Sequence, residues 1–485
     1  MNLSNWKKLP GREKTKVVLF YFTLVSAMLF FVFLQPLGEP PDESGRYLIV
    51  QYICLHGRLP HGADPEILLY GYGGSYGFQP MLTYIIQGFL LRFLFQFCQD
   101  GYLLLLAARL VNVVFGVIMA VYVRKTAKFL FQNESLQWLF SVLIMFLPQS
   151  LFLHTYVNTD SMAMMSTAMM VYAWLTGLKT HWDRRSCITL SIGISLCALS
   201  YYNAYGFILC SILLFAASFV TRDQVSGRPV LNWKEMLQKG LFISAIVLLC
   251  IGWWFIRNAV LYNGDFLGLS ARAKCTLETA TEKYHPLTKK TYQNTGFSLW
   301  YMIFETDFLE LLTNSTIATF GPMSIVTFTH IYTVIKWLVL ISLLGLLLPK
   351  RGPADESGLP AEKEKCLHGC MALSIVIPIV LCTGYSYMSD YQPQGRYILP
   401  MLIPFVYFMV WGLRKLTGAL SQLINRVLGR FTNGQAKPVS TEQFLRILTT
   451  AVTCFYFYAL WITLIRIVFP VYYPASLLRY IRELL

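Results

Sequence analysis

The chain has 485 residues, of which 55% are hydrophobic and only 13% are charged. Apolar runs of about 18 residues or more recur along its length, which excludes a soluble globular protein and predicts a polytopic membrane protein. The net charge of +15 does not indicate a nucleic-acid partner, because the basic residues lie in short loops between apolar segments, as the positive-inside rule describes. The 11 cysteines are scattered and predict no disulfide framework.

Charge bias predicts about 11 transmembrane helices with the N-terminus inside, in an all-α chain that forms a single membrane domain over residues 1–485. Its predicted parts are a first transmembrane helix at 15–36, a first external loop with interfacial helices at 37–101, the second to seventh transmembrane helices at 102–261, a long external loop at 262–325, the eighth to eleventh transmembrane helices at 326–468 and a tail at 469–485.

Three segments of this predicted topology need separate explanation. The apolar run at about 80–98 is interpreted as a helix at the outer interface, because a full crossing would leave a basic stretch around Lys125 outside. The third transmembrane helix is predicted to run continuously over about 136–157. The tenth is predicted at about 398–413, followed by a basic cytoplasmic loop at 414–437.

Two adjacent carboxylates, Asp42 and Glu43, follow the first apolar run. The prolines at 40 and 41 end the helix before them. Charged groups at the mouth of a membrane helix are costly to remove from water, so they are usually functional or paired. The sequence therefore predicts chemistry at this pair, with a solvated helix cap and a salt bridge to Arg46 as the alternative.

Other polar residues emerge on the same predicted side. Asn158 and Asp160 follow the third helix, Arg257 ends the seventh, and Arg396 opens the tenth. An arginine at an external helix end runs against the charge bias, so Arg257 and Arg396 are candidates to bind phosphate, with snorkelling to lipid headgroups as the alternative. Asp160 is equally a candidate N-cap for the following helix.

A divalent cation is a further hypothesis. Its ligands would be His56, His61 and Asp64 together with Asp42. Because histidines and aspartates in loops are commonly just exposed, and these are irregularly spaced, we expect no resident metal and no other cofactor.

Several short segments, taken together, resemble the GT-C glycosyltransferases, which are polytopic enzymes that use polyprenyl-phosphate sugars. The segments are PPDE at 40–43, QPMLTY at 79–84, RLVNVVFG at 109–116, NTD at 158–160, WWFIRN at 253–258 and QGRYILP at 394–400. The last two look most like a bacterial GT-C subgroup of poorly characterised function. The chain departs from that pattern at Arg46, where the subgroup often has His, and at Gln79, where Pro is usual.

The resemblance implies a GT-C-like architecture with juxtamembrane helices in the first external loop and an extracytoplasmic active site in the cell membrane. It implies that Asp42 is the catalytic base, with Glu43 as the alternative. The residues expected to bind substrate are Arg396, Arg257, Arg46, Asn158, Asp160, Tyr397 and Gln394. The expected partners are a polyprenyl-phosphate sugar donor, a glycan, glycolipid or protein acceptor, and membrane lipid.

The chemistry of such a transfer needs one base for the acceptor hydroxyl and positive charge on the departing phosphate. A single base without a covalent intermediate predicts inversion at the anomeric carbon. Two other functions are carried as alternatives, a transporter or flippase of a lipid-linked glycan and a catalytically inactive scaffold of the same fold. A transporter is disfavoured because the charges gather at one interface and no internal repeat is visible.

Overall fold

A computed structural model describes residues 10–222, 228–349, 358–431 and 438–473. The helices of its first half are α1 (Gly11–Leu34), α2 (Glu43–His56), α3 (Leu82–Phe95), α4 (Gly101–Leu130), α5 (Glu134–Met145), α6 (Pro148–Leu153), α7 (Asp160–Thr180), α8 (Arg184–Ala198) and α9 (Gly206–Ala217). Those of its second half are α10 (Trp233–Leu261), α11 (Leu269–Thr279), α12 (Phe308–Ala318), α13 (Thr329–Leu346), α14 (Ala361–Met388), α15 (Leu402–Phe431), α16 (Thr441–Thr463) and α17 (Phe469–Tyr472).

Strands are nearly absent from the described residues. Antiparallel pairing joins β1 (Val220–Arg222) to β2 (Pro229–Leu231), and β3 (Thr319–Phe320) to β4 (Ile325–Val326). The prediction of an all-α fold is confirmed.

Seven helical stretches in the described part of the chain are long and apolar enough to cross a membrane. They are α1, α4, α10, α13, α14, Leu399–Leu428 and Thr441–Tyr472. The polytopic membrane class is therefore confirmed, while the count of about 11 crossings stays a prediction. Helix α3 has 14 residues, fewer than the roughly 20 that a crossing needs, which agrees with its interpretation as an interfacial helix.

The structure corrects two predicted boundaries. The third transmembrane helix is not continuous, because it breaks between α5 and α6 at Pro148, which begins α6. Proline lacks the N–H that would continue the helix and disfavours a helical residue before it. Residues 414–431, predicted as a loop, continue helix α15 to Phe431. The rest of that loop up to 437, and the tail beyond 473, lie outside the described residues.

Helices α1 and α4 run antiparallel and define two ends of the molecule. At one end, Lys128 of α4 pairs with Glu13 of α1 at 3.1 Å. At the other, Arg109 of α4 donates to the carbonyl oxygen of Gln35, just after α1, at 2.6 Å. The loop that carries Asp42 therefore lies at the end of the bundle away from Lys128.

Helices α13 and α15 cross closely because glycines face each other. A methyl group on Gly412 would overlap the carbonyl oxygen of Ser342, and one on Gly345 would overlap the backbone of Gly412. Small residues allow such close backbone approach between membrane helices.

The Gly412→Ala variant should therefore be destabilised by about 3 kcal/mol, near the upper end of typical overpacking costs. Gly418→Ala is the matched control, because Gly418 lies in the same helix with nothing within 4 Å of an added methyl group. Thermal unfolding of the purified protein in detergent measures both, and equal unfolding temperatures would show that the crossing tolerates the added methyl.

Candidate active site

Asp42 stands immediately before α2 in a strained backbone conformation. Its φ is 61°, in the left-handed region, where Asp and Asn are enriched among residues other than glycine. Its Oδ2 lies 2.7 Å from Nη2 of Arg396 and 3.6 Å from Nη2 of Arg46. The carboxylate lies in a cavity of the protein, where 36% of the Asp42 side-chain surface is accessible to solvent.

The pKa of Asp42 is lower than that of an ordinary aspartate. Burial opposes its ionisation, but the positive charges of Arg396 and Arg46, with hydrogen bonds from Arg396 and Tyr76, outweigh that effect. The carboxylate is therefore ionised at neutral pH. The stability that it contributes is lost only as the pH falls through this lowered pKa.

Arg396 is held by a one-turn 3-10 helix, Gly395–Tyr397. Gly395 packs so closely on the backbone of Thr316 in α12 that a methyl group would overlap it, and its N–H donates to Oγ of Ser315 at 2.8 Å. The Arg396 side chain is buried at 3% exposure. Its Nη2 binds Asp42, but its Nε and Nη1 have no hydrogen-bond partner in the described part of the chain.

A second buried ion pair lies beside the first. Nη1 of Arg46 binds Oδ2 of Asp160 at 2.9 Å, and both side chains are almost fully buried. The Nε of Arg46 has no hydrogen-bond partner among the described residues, and its guanidinium lies over the ring of Tyr76, 5.4 Å from the ring centre. The start of α2 and the start of α7 are thus joined next to Asp42.

Glu43 points away from this cluster into the protein. Its two oxygens accept from Arg109, Oε1 from Nε at 2.8 Å and Oε2 from Nη2 at 2.6 Å. Oε1 also accepts from the N–H of Val157 at 3.0 Å. Both side chains of the pair are fully buried. This geometry gives Glu43 a structural position and favours Asp42 as the accessible carboxylate.

Arg109 also binds the end of α1. Besides Gln35, it donates to the carbonyl oxygens of Val32 at 3.0 Å and Pro36 at 3.1 Å. Carbonyls at a helix C-terminus lack partners within their own helix, and a cation there is favoured by the helix dipole. The Glu43–Arg109 pair therefore fixes the exit of α1 and the start of α2.

Asn158 is fully buried and shapes the segment between α6 and α7. Its Nδ2 donates to the carbonyl oxygens of Leu153 and Tyr156 at 2.8 and 2.9 Å, and its Oδ1 accepts from the N–H of Ser161 at 2.9 Å. Asn158 thus satisfies a free N–H at the start of α7. The prediction of Asp160 as the N-cap is wrong, because Thr159 precedes the helix and Asp160 is its first residue.

Tyr397 and Gln394 lie beside Arg396. The Tyr397 hydroxyl accepts from Nη2 of Arg396 at 3.1 Å and donates to Oε1 of Gln392. Oε1 of Gln394 is buried without a hydrogen-bond donor among the described residues. Both stay predicted substrate-binding residues.

Arg257 occupies a different place. Its guanidinium donates to the carbonyl oxygen of Pro60 at 2.5 Å and lies over the ring of Trp254. These contacts tie α10 to the first external loop and do not include Asp42. These contacts do not support a phosphate-binding role for Arg257, and that role stays a prediction.

The hypothesised metal ligands are dispersed. His56 lies 2.9 Å from Glu66, His61 contacts the ring of Tyr262, and Asp64 accepts from the N–H of Glu66. Within the described ranges, no three His, Cys, Asp or Glu side chains come together as a metal site. This ligand set is not assembled, and dependence on a divalent cation stays a hypothesis.

A cavity of about 1340 Å³ opens in front of Asp42 and Arg46. One wall comes from the loop at 69–79 and another from α14. A third part of the lining comes from α11 and the segment 283–294. The loop and α11 meet closely, since a methyl group on Gly73 would overlap the backbone of Ala280.

Two features of this site were not predicted from the sequence. Arg109 was placed in a motif without its pairing with Glu43, although an arginine inside an apolar run is usually paired with a buried carboxylate. The basic residues of the segment 262–325 were given no role, yet Arg272, Lys283 and Lys289 line the cavity. No local pattern indicates that these residues face Asp42.

The family of predicted membrane proteins DUF2142 matches residues 79–405, which is more than half of the chain. The chain belongs to this family. The matched range includes Asp160 and Arg396 but begins after Asp42 and Arg46. No curated protein matches the chain.

Two solved structures similar to this chain are known with bound lipid phosphates. One is AglB of Archaeoglobus fulgidus, an archaeal oligosaccharyltransferase in complex with an inhibitory peptide and a dolichol-phosphate, at 13% identity and a TM-score of 0.48. That match covers 93% of this chain and 56% of AglB, so the chain spans little more than half of its length. The other is ArnT of Cupriavidus metallidurans bound to undecaprenyl phosphate, at 14% identity and a TM-score of 0.48, covering 94% of this chain and 74% of ArnT.

Proposed function

We propose that this chain is an inverting GT-C glycosyltransferase that moves a hexosyl or pentosyl unit from a polyprenyl-phosphate donor to an acceptor hydroxyl on the extracytoplasmic face of the membrane. The observation that carries the proposal is the pairing of the accessible Asp42 carboxylate with Arg396, whose Nε and Nη1 have no partner in the described residues. One accessible base beside guanidinium groups with free donors is what such a transfer needs.

The free donors favour an anionic ligand. A buried guanidinium N–H without an acceptor is costly, and Arg396 and Arg46 together present three such nitrogens. Phosphate oxygens are strong acceptors for guanidinium donors, and arginine stays charged at every relevant pH. The donor phosphate would therefore bind between these two side chains.

The transfer then proceeds in one displacement. Asp42 takes the proton of the acceptor hydroxyl as the hydroxyl oxygen bonds to the anomeric carbon. The bond between that carbon and the phosphate oxygen breaks, and polyprenyl phosphate leaves with the bonding electrons. Arg396 and Arg46 stabilise the negative charge that the phosphate gains. A single attack inverts the anomeric configuration.

Donor binding also activates the base. In the free protein, Arg396 neutralises part of the Asp42 charge and lowers its pKa. A phosphate on Arg396 competes for that positive charge, which raises the pKa of Asp42 and makes it a stronger base. Sharing one arginine thus couples the arrival of donor to proton transfer.

Two features support the proposed external position of the site and the proposed position of the donor's prenyl chain. The end of the bundle with Lys128 carries basic residues and is cytoplasmic by the positive-inside rule, so Asp42 at the other end faces outside. The α14 wall of the cavity is largely apolar, with Pro378, Leu381 and Met388. A prenyl chain can lie against such a wall while its phosphate approaches Arg46, which lines the same cavity, and Arg396, which binds Asp42 there.

Binding of polyprenyl phosphate tests the donor site. Arg396→Lys keeps the positive charge but removes the guanidinium donors, and we expect at least about tenfold weaker binding, since a hydrogen bond to a charged group contributes roughly 1.5–3 kcal/mol. Arg257→Lys is the matched control, because Arg257 binds Pro60 instead. Equilibrium binding in nanodiscs measures both. Weakening by Arg257→Lys alone would move the phosphate away from Arg396.

A further inference from the structure

The cavity is lined by more basic than acidic side chains. The basic ones are Arg46, Arg272, Lys283 and Lys289, and the two carboxylates are Asp42 and Asp390. Three of the four bases belong to the segment 262–325, whereas Asp42 and Arg46 belong to the segment that follows α1.

The carboxylates of the cavity are already matched. Asp42 pairs with Arg396 at 2.7 Å, and Asp390 pairs with Lys289 at 2.7 Å. Arg272 and Lys283 have no ion pair with any carboxylate in the described part of the chain. The unmatched positive charge therefore belongs to these two side chains.

These two cations belong to a different part of the chain from the arginines assigned to the donor phosphate. Arg272 is half-buried in α11 and lies near Tyr202, whose pKa is raised by burial and lowered by the Arg272 charge. Lys283 lies beside Tyr284, whose ring contacts that of Tyr72 with the ring centres 4.1 Å apart. Tyr385 lies within electrostatic range of both Arg272 and Asp42, so the two charged regions face the same space.

Two pairs of cationic side chains, Arg396 with Arg46 and Arg272 with Lys283, favour the binding of two anionic groups. A polyprenyl-phosphate sugar supplies one phosphate, which Arg396 and Arg46 account for. The cavity volume of about 1340 Å³ exceeds the roughly 300–1,000 Å³ of ordinary small-molecule sites, which leaves room for an acceptor beside the donor. The second anion therefore belongs to the acceptor.

We infer that the acceptor carries a phosphate or carboxylate group, and that Arg272 and Lys283 bind it. This inference rests on the proposed function for the placement of the donor. Arg272 holds the anion at the wall and Lys283, which is exposed, reaches it from solvent. The acceptor hydroxyl is thereby presented towards Asp42.

Equilibrium binding to the full chain in zwitterionic nanodiscs tests this inference without requiring turnover. The probes are a neutral disaccharide, its phosphomonoester and a glucuronate-containing analogue. We expect the two anionic probes to bind at least tenfold more tightly than the neutral one. Arg272→Ala combined with Lys283→Ala should abolish that preference and leave binding of polyprenyl phosphate unchanged.

The matched control combines Lys274→Ala with Lys290→Ala, which removes two nearby charges that do not line the cavity. It should keep the preference for anionic probes. Equal binding of neutral and anionic probes by the unaltered protein, or a preference that survives loss of Arg272 and Lys283, would overturn the inference. Loss of polyprenyl phosphate binding in that variant would assign the two cations to the donor.

A third arm distinguishes the source of the anion. Nanodiscs containing phosphatidylglycerol compete for Arg272 and Lys283 if these residues bind lipid headgroups, and a headgroup effect without any sugar preference would overturn the inference. Failure of the proposed function looks different. Anionic sugars would then bind through Arg272 and Lys283 although no sugar is transferred in the presence of donor.

Discussion

Replacing Glu43 with Gln is expected to lower the free energy of unfolding by about 3–5 kcal/mol, the usual cost of breaking a buried ion pair from one side. Glu43 is fully buried, and its three partners, Nε and Nη2 of Arg109 and the N–H of Val157, are all donors. A glutamine must turn its NH2 group against one of them. The charge of Arg109 would then remain buried without a counter-ion.

Asp42→Asn is the matched comparison, since it makes the same change one residue earlier. Asn tolerates the left-handed backbone at this position. It can place its oxygen towards Arg396 and its NH2 group towards the cavity. Arg396 also loses its counter-ion, but 36% of the Asp42 side chain is accessible to solvent, which screens that charge, so we expect a smaller loss of stability. Thermal unfolding of both variants in the same detergent measures the difference.

A second control removes both charges of the buried pair. The double variant Glu43→Leu with Arg109→Met should recover part of the stability lost in Glu43→Gln, because apolar side chains often replace a buried pair at little cost. An unchanged unfolding temperature in Glu43→Gln, together with lost transfer, would contradict the structural role and make Glu43 the base.

Much of the fold was predictable because the membrane imposes a simple rule on the sequence. Backbone groups in lipid must bond within their own helix, so long apolar runs become helices. The run before Asp42 and the helix α4 follow directly from this rule. Pro148 was visible in the sequence as a possible helix break. Hydropathy is averaged over a window of residues, however, and the average does not reveal a break at a single position.

The candidate site was predictable where single residues oppose the trend of their surroundings. Asp42 and Arg396 were identified because charges at an external helix end are unexpected, and the structure brings them to 2.7 Å. Which of Asp42 and Glu43 is accessible was not predictable from the residues themselves, and only the family resemblance favoured Asp42 as the base. Two neighbours on one loop are equivalent in sequence, and only the position of Arg109 decides which of them is buried.

That Arg272 and Lys283 line the cavity could not be predicted from the sequence, for a different reason. Arg272 and Lys283 are ordinary basic residues in a polar loop, and charge bias has no force in long loops. They face the cavity because of contacts between residues far apart in the chain, such as the packing of Tyr284 against Tyr72. Only the folded chain shows these contacts.

Asp42→Asn should lower the rate of sugar transfer by about 10²- to 10⁴-fold, the usual contribution of a general base, while binding of polyprenyl phosphate persists. The base is lost but Arg396 and Arg46 remain to hold the donor phosphate. Asp64→Asn is the control, because Asp64 lies in the same loop and caps a short helix outside the cavity. It should transfer sugar like the unaltered protein.

The most direct test measures free polyprenyl phosphate released by the purified chain from a mixture of polyprenyl-phosphate sugars, with a crude envelope extract as acceptor. We expect acceptor-dependent release by the unaltered protein and by Asp64→Asn, and almost none by Asp42→Asn. Full release by Asp42→Asn would remove Asp42 as the base. An unaltered protein that binds donor and moves it between leaflets without any release would contradict the transferase and identify a transporter.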